Sequence, residues 1–162
     1  MSLSLRTANR DDVALVLGFV RELADYEKLS HEVDATEPMI AEALFGAQPR
    51  AFCEIAEWEG APVGFALWFS NYSSFRGRHG IYLEDLFVRS AFRGRGVGKA
   101  LLAALARRCV QNGWTRFEWS VLNSNASAIA FYKSIGATMM NEWTTFRLSG
   151  QALQSLASRS ST

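Results

Sequence analysis

A stretch rich in glycine and arginine near the middle of the chain, Arg93-Gly94-Arg95-Gly96-Val97-Gly98-Lys99, limits the folds open to this sequence. It follows a strongly apolar segment, residues 81–88, and precedes apolar residues at helical spacing at positions 101, 102, 105 and 109. Glycines let consecutive backbone N–H groups converge on an anion, and the positive end of a helix dipole adds to that attraction. We therefore expect a strand, a phosphate- or pyrophosphate-binding loop and a helix, in this order.

Two well-known phosphate loops do not fit this stretch. The dinucleotide fingerprint requires a glycine where the chain has Lys99, and the P-loop requires Ser or Thr where the chain has Ala100. The pattern that remains is R-x-x-G-x-G, carried by Arg93, Gly96 and Gly98. The sequence therefore gives little support to a nucleotide-binding protein, an alternative that titration with ATP and NAD tests.

Strand-like and helix-like segments lie on both sides of this loop. Strands are expected at residues 3–7, 52–58, 63–69, 81–88 and 117–121, with a last pair within 139–148. Helices are expected after Asn9 with Asp12 as capping acid, from Thr36 to Gly46, after Gly98, and over residues 126–135, and residues 71–80 are expected to be a loop. This order predicts a mixed α/β sheet. The 162 residues predict one domain, residues 1–162.

Charge is balanced overall but uneven along the chain. Seventeen Lys and Arg against sixteen Asp and Glu leave +1, which favours neither nucleic acid nor an anionic membrane as partner. Residues 22–42 are acidic with Lys28 as the one basic residue, and residues 89–133 are basic with Glu118 as the one acid. These stretches suit a cationic and an anionic ligand, or they are solvated helix faces.

The start of the chain and its cysteines bear on location. Residues 1–30 have no basic region followed by an apolar one, and no window reaches the ~18 apolar residues of a membrane span. Cys53 and Cys109 are far apart and sit in apolar runs, as buried thiols do. We expect a cytoplasmic protein that does not bind membranes.

Several motifs together resemble the GNAT superfamily of acyl-CoA-dependent N-acetyltransferases. They are Leu5-Arg6, the strand Tyr82-Leu83-Glu84-Asp85-Leu86-Phe87-Val88, the loop from Arg93 to Gly98, and Asn125 through Phe131-Tyr132-Lys133 to Gly136-Ala137. The Tyr-Leu-Glu-Asp strand and the pair Tyr26-Glu27 are most similar to the spermidine/spermine (diamine) and thialysine acetyltransferases. The resemblance implies a GNAT fold, a mixed central β-sheet with splayed central parallel strands flanked by helices, and a homodimer.

The resemblance also implies acetyl-CoA as cosubstrate, without a metal. The positions that would contact it are Leu86, Phe87, Val88, Arg93, Gly94, Arg95, Gly96, Val97, Gly98, Lys99, Asn125 and Ser127. The strand edge would pair with pantetheine and the loop amides would take the pyrophosphate. Asn125 and Ser127 have a plain helix cap as their alternative role.

Two residues match the family's catalytic positions. Tyr132 would be the general acid near the leaving sulfur, because a phenol stays protonated at neutral pH; its alternative is packing beside Phe131. Glu84 would be the base, acting through water. Asp85 is expected to be structural, because neighbouring strand residues point to opposite faces. Neither His31 nor His79 has a nucleophile or metal-ligand pattern around it.

The acceptor side is assigned by the same resemblance to Tyr26, Glu27, Glu84, Glu118, Trp119 and Ser120. The chain has Asn123-Ser124 where the subfamily commonly has an acidic or aromatic pair, so the length of the acceptor stays open. We therefore expect an N-acetyltransferase for a small-molecule amine, a diamine or polyamine or a lysine-like amino acid. The alternatives are another amine acceptor (amino acid, antibiotic or protein) and a non-catalytic acyl-CoA-binding module.

Overall fold

The computed structural model describes residues 2–159, which divide into two compact units, one ending at Ser120 and the other beginning at Val121. Each unit is described by itself. The expectation of a single domain over residues 1–162 stays a prediction. The first unit contains the sheet, the glycine loop and the acidic stretch.

Five strands form one mixed sheet in the first unit. They are β1 (Leu3–Thr7), β2 (Phe52–Trp58), β3 (Ala61–Ser73), β4 (Arg78–Val88) and β5 (Phe117–Trp119). Their order in the sheet is their order in the sequence, and each neighbouring pair from β1 to β4 is antiparallel. Strand β5 then pairs with β4 in parallel, after a helical crossover. The mixed α/β sheet predicted from the sequence is confirmed.

The α-helices differ in how they begin, and side-chain oxygens of Thr36 and Asn125 cap two of them. The helices are α1 (Val13–Tyr26), α2 (Glu37–Phe45) and α3 (Val97–Gln111) in the first unit, and α4 (Ala126–Ser134) and α5 (Gly150–Ala157) in the second. Ahead of α1, the backbone N–H of Asn9 donates to Asp12 at 2.8 Å and the side chain of Asn9 accepts from Asp11 at 2.8 Å, as a capping box requires. None of these helices is both long and apolar enough to span a bilayer, within residues 2–159.

Helices cover the two faces of the sheet. On one face Phe19 of α1 stacks on Phe65 of β3, with ring centroids 5.2 Å apart, and both rings are fully buried. On the other face Arg108 of α3 pairs with Glu54 of β2 at 2.6 Å and covers the ring of Trp68. Burial of these apolar side chains is the main favourable contribution to folding. The packing holds α1 and α3 against β4, at whose end the glycine loop begins.

The hairpin of β3 and β4 is longer than the sequence predicts. Pairing continues through Asn71↔Gly80 to Ser73↔Arg78, so the loop expected over residues 71–80 is reduced to residues 74–77. Gly80 lies within β4, where a Cβ would collide with the carbonyl oxygen of Arg116, the residue before β5. The expected strand over residues 117–121 is shorter as well and ends at Trp119.

The last strand pair, expected within residues 139–148, is not formed. Residues 137–149 contain one turn, at 141–142, and otherwise neither helix nor strand. Trp143 is 77% exposed and Phe146 is 93% exposed. These two side chains are three positions apart, so a strand would place them on opposite faces and would need cover on both sides. The described sheet consequently ends at β5.

Candidate active site

Strands β4 and β5 stop pairing half-way along β4. Their pairing runs from Ile81↔Phe117 to Leu83↔Trp119 and stops there, although β4 continues to Val88. Within the described chain, residues 85–88 therefore have a strand partner, β3, on one side alone. The free backbone edge includes Leu86, Phe87 and Val88, three of the predicted cofactor contacts. An extended ligand can pair with such an edge as an added strand does.

The glycine loop follows this free edge directly. Gly94 has φ of 73° and Gly96 has φ of 82°, a left-handed conformation that favours glycine, and Gly96 caps the N-terminus of α3. Among residues 2–159, no protein acceptor takes the backbone N–H groups from Gly94 to Lys99. Unpaired amides at a helix N-terminus attract an anion such as a pyrophosphate. The residues present therefore fit the phosphate-binding function expected of this loop.

The arginines of the loop do not project into this cradle of amides. Arg93 donates from Nε to the carbonyl of Val88 at 2.8 Å, and its guanidinium lies 4.3 Å from the ring centroid of Tyr26. Arg95 lies over Trp58 and Phe92, 5.5 Å from each ring centroid. The loop consequently offers backbone donors to an anion, while these two cations are held against aromatic rings.

A β-bulge shapes β4 where it leaves β5. Leu67 of β3 pairs with Asp85 and the next residue, Trp68, pairs with Leu83, so Glu84 is an extra residue in β4. Regular alternation, from which we expected Glu84 and Asp85 to point to opposite faces, is broken here. Leu67 and Trp68 face opposite sides of the sheet, so their partners Asp85 and Leu83 do too. Leu67 packs against the core beneath α1, which places Asp85 on that face.

Asp85 is a half-buried carboxyl group with acidic neighbours. Burial, together with the smaller effect of the charges of Glu84 and Glu27, raises its pKa to about 7. Among the described residues, no cation forms an ion pair with Asp85. Half-buried carboxyl groups with a raised pKa are common at functional sites, and the structural role expected for Asp85 stays a prediction. The bulge beside Asp85 has no glycine or proline to mark it in the sequence.

The C-terminal end of α1 belongs to the same acidic region. Tyr26 is the last residue of α1 and Glu27 caps it, so the negative end of the helix dipole adds to the carboxylates. One acid of the stretch is already neutralised, because Glu22 pairs with Arg89 at 3.0 Å. Glu27 and the exposed Glu84 have no such ion pair among the described residues, and the region attracts a cation.

The predicted acceptor residues 118–120, in β5 and directly after it, contact neighbouring side chains. Glu118 pairs with Arg116 at 2.7 Å and accepts from the amide of Asn71 at 3.1 Å, and the ring of Trp119 contacts that of Phe117. The hydroxyl of Ser120 is 2.7 Å from that of Tyr82 on β4. The charge of Glu118 is therefore largely compensated. The sequence did not indicate Tyr82 or Arg116 as parts of this site.

The remaining predicted residues belong to the second unit. Asn125 caps α4, where its Oδ1 accepts from the backbone N–H of Ala128 and from the hydroxyl of Ser127, both at 3.3 Å. Tyr132 is half-buried on α4, with its ring 5.7 Å from that of Phe131. A recess lined by residues 138–143 of this unit contains none of the predicted site residues. Across residues 2–159 no three His, Cys, Asp or Glu side chains form a group suited to a metal ion.

Comparisons with known proteins match the chain to a family, to similar sequences and to a similar structure. Residues 18–137 match the Acetyltransferase (GNAT) family. The chain is 36% identical to a thialysine N-epsilon-acetyltransferase of Sus scrofa, over 98% of this chain and 99% of that protein. It is 30% identical to an L-ornithine N5-acetyltransferase of Arabidopsis thaliana, over 94% of this chain and 86% of that protein. An integron cassette protein of V. cholerae has a similar structure, with a TM-score of 0.81 and 29% identity over 98% and 99% of the two chains.

Proposed function

Because the chain belongs to the Acetyltransferase (GNAT) family, we propose that it moves an acetyl group from acetyl-CoA to the distal amine of a lysine-like amino acid. The observation that carries the proposal is the parting of β4 from β5, which leaves a free backbone edge between the amide cradle and the acidic carboxyl groups. Thialysine and ornithine, named in two relatives, are both α-amino acids with a second amine at the side-chain end.

The donor side of the proposal uses backbone groups. Residues 94–99 offer amides to the pyrophosphate, and the edge from Leu86 to Val88 offers strand pairing to the pantetheine. Acetyl-CoA, the acetyl donor of the family, supplies an activated thioester when bound. Asn125 and Ser127 are proposed as further contacts, at the N-terminus of α4.

The acceptor side uses carboxyl groups. Glu27, Glu84 and Asp85 attract the protonated amine and disfavour a neutral or anionic acceptor. The amine must lose a proton before it attacks, and we propose Glu84 as the group that takes this proton through water. Tyr132 is proposed to donate a proton to the leaving sulfur. Tyr26, Glu118, Trp119 and Ser120 are proposed to line the acceptor's path, with Glu118 acting through its pair with Arg116.

The same membership supports a proposal about the organisation of the protein. The family match runs from residue 18 to residue 137, across the boundary between the two units, and this supports one GNAT domain over residues 1–162. We further propose a homodimer in the cytoplasm that needs no metal, nucleic acid or membrane. Two free cysteines, Cys53 and Cys109, are compatible with a reducing compartment.

An acceptor screen with acetyl-CoA, monitored by released thiol, tests the proposal. We expect thialysine, lysine and ornithine to give higher kcat/KM than putrescine, spermidine, an aminoglycoside or a peptide. Tyr132→Phe should lower kcat by roughly 10² or more and keep CoA affinity, because it removes one hydroxyl from the reaction and none from the cofactor contacts.

The alternatives give different results in the same screen. A preference for putrescine or spermidine would replace the amino acid by a diamine or polyamine and keep the acetyltransferase. CoA binding without thiol release for any amine would indicate a non-catalytic acyl-CoA-binding module. Tighter binding of ATP or NAD than of CoA would overturn the proposal altogether.

A further inference from the structure

Arg93 connects two parts of the site that are far apart in the sequence. Its Nε donates to the carbonyl of Val88 at 2.8 Å, at the last residue of the free edge of β4. Its guanidinium lies over two rings, 4.3 Å from the centroid of Tyr26 and 5.6 Å from that of Phe87. One side chain therefore touches the free edge, the start of the amide cradle and the end of α1.

Of the groups that Arg93 contacts, the end of α1 is the one that belongs to the proposed acceptor side. Tyr26 is the last helical residue and is 52% exposed, so Arg93 covers part of a ring that is otherwise open to solvent. Glu27, the next residue, is close enough to Asp85 for its charge to raise the pKa of that carboxyl. A shift of the end of α1 relative to the loop would move Tyr26 and Glu27 together, and with Glu27 a charge that acts on Asp85.

We propose that Arg93 is a positioning residue that couples CoA binding to acceptor binding through its stack on Tyr26. The proposal rests on the proposed function, because it takes the loop as the CoA site and the end of α1 as part of the acceptor site. Bound CoA would fix the backbone of the loop. The loop fixes the position of Arg93, and the guanidinium of Arg93 packs on the ring of Tyr26. Coupling of this kind is reciprocal, so bound CoA must tighten acceptor binding by the same factor by which bound acceptor tightens CoA binding.

The loop supplies its own matched control. Arg95 is two residues further on, has the same charge, and also lies over aromatic rings, those of Trp58 and Phe92. Those rings belong to the end of β2 and to the turn after β4, and neither is on α1. Arg95→Gln therefore removes the same charge from the loop as Arg93→Gln and leaves the stack on Tyr26 in place.

The first measurement is CoA affinity by isothermal titration calorimetry, without an acceptor. A stack of a guanidinium on a half-exposed ring predicts that Tyr26→Leu weakens CoA binding about two- to fivefold, although Tyr26 is not in the loop. Tyr26→Phe keeps the ring and should bind CoA as the wild type does. Thermal unfolding of each variant checks that the fold is retained.

The second measurement repeats Tyr26→Leu in two altered backgrounds. With Arg93→Gln already present, Tyr26→Leu should change CoA affinity by no further factor, because the stack is already lost. With Arg95→Gln present, the two- to fivefold effect should remain. Titration of thialysine should show the reciprocal loss, with CoA-dependent tightening present in the wild type and in Arg95→Gln and absent in Arg93→Gln.

The outcomes separate this inference from the proposed function. A wild-type protein that fails to bind CoA overturns the proposed function and the coupling with it. Normal CoA binding that Tyr26→Leu does not weaken, or that it weakens equally in the Arg93→Gln background, overturns the coupling alone. Equal losses in Tyr26→Phe and Tyr26→Leu would assign the effect to the hydroxyl and would also overturn it.

Discussion

Asp85 has an apolar partner in the neighbouring strand and two acids near enough for their charges to affect its carboxyl group. Leu67 is its partner across the strand pair, and the charges of Glu84 and Glu27 act on it. With a pKa of about 7, this group is partly protonated at neutral pH and gains charge when a cation approaches. An ammonium group entering the site should therefore release a proton from Asp85, which links acceptor binding to pH.

One contribution to the pH dependence of the protein's stability should come from this carboxyl group. The folded state holds the proton of Asp85 up to about pH 7, whereas an unfolded aspartate loses it near pH 4. The free energy of unfolding should therefore fall as pH rises from about 4 to 7 and level off above that range. Asp85→Asn should remove this slope. At pH 8 the free energy of unfolding of the variant should exceed that of the wild type by about 2 kcal/mol, after allowance for solvent near a half-buried group.

Urea unfolding of both proteins at pH 5, 6, 7 and 8 checks this expectation. The quantity to compare is the difference between variant and wild type, because other titrating groups cancel in it. Glu84→Gln is the control: it should leave a smaller slope of the same sign, since one charge that raises the pKa of Asp85 is gone. A pH-independent difference between Asp85→Asn and the wild type would contradict the assigned environment.

Gly96 and Gly98 have different reasons to be glycine. A Cβ at Gly96 meets open space, so the constraint there is the left-handed φ of 82° rather than crowding. Gly96→Val should distort the amide cradle, lower stability by about 1–2 kcal/mol and reduce CoA affinity. Gly98 lacks a positive φ and its Cβ would lie 3.8 Å from Val88, so Gly98→Ala should leave stability equal or higher. Undiminished CoA affinity in folded Gly96→Val would remove the loop from the site.

At the scale of secondary-structure elements, the starts of helices are easier to predict from the sequence than the pairing of strands. The capping residues Asn9 and Thr36 start helices where expected, because each cap is satisfied by backbone groups within three residues. The bulge at Glu84 and the missing strands within 139–148 depend on partners distant in sequence. Their patterns of apolar residues are compatible with several registers, so the sequence alone does not select the observed one.

The attachment of α1 depends on partners that are equally remote. Arg89 joins Glu22 and the carbonyl of Pro62, and Arg93 covers Tyr26, so that α1 is tied to residues more than sixty positions further along the chain. The sequence predicted Arg93 and Tyr26 as members of separate cofactor and acceptor sites. Their contact gives this arginine a partner on α1, while the donors that the loop leaves unpaired are backbone amides. The assignment of those two sites remains a prediction for the variants above.

At the scale of the whole chain, the basic and acidic stretches differ in how many of their charged side chains contact a neighbouring charge or ring. Most arginines of the basic stretch are engaged by a neighbouring acid or ring, namely Arg89, Arg93, Arg95, Arg108 and Arg116. In the acidic stretch, among the described residues, Glu22 pairs with an arginine and Glu32 with His31. The net charge of +1 therefore conceals a local negative field at the proposed acceptor side.

That field should make acceptor capture sensitive to salt. A cationic acceptor is concentrated by nearby carboxylates, and added salt screens the attraction over about 8 Å at physiological ionic strength. We expect kcat/KM for thialysine to fall as the NaCl concentration is raised from about 20 to about 300 mM. The fall should be steeper for spermidine, which carries more charge. Glu27→Gln should reduce this dependence and raise KM with little change in kcat, because it removes binding rather than chemistry.

Asp34→Asn separates a local effect from one of net charge. Asp34 is exposed, belongs to the same acidic stretch and changes the total charge by the same amount, but it is not among the groups that raise the pKa of Asp85. If the field acts where α1 ends, Glu27→Gln should shift both KM and the salt slope, and Asp34→Asn should shift them much less. Equal shifts in the two variants would assign the attraction to the acidic stretch as a whole. Salt slopes unchanged in both would show that this stretch is a solvated surface, and the acceptor would then be chosen by the shape of the site rather than by its charge.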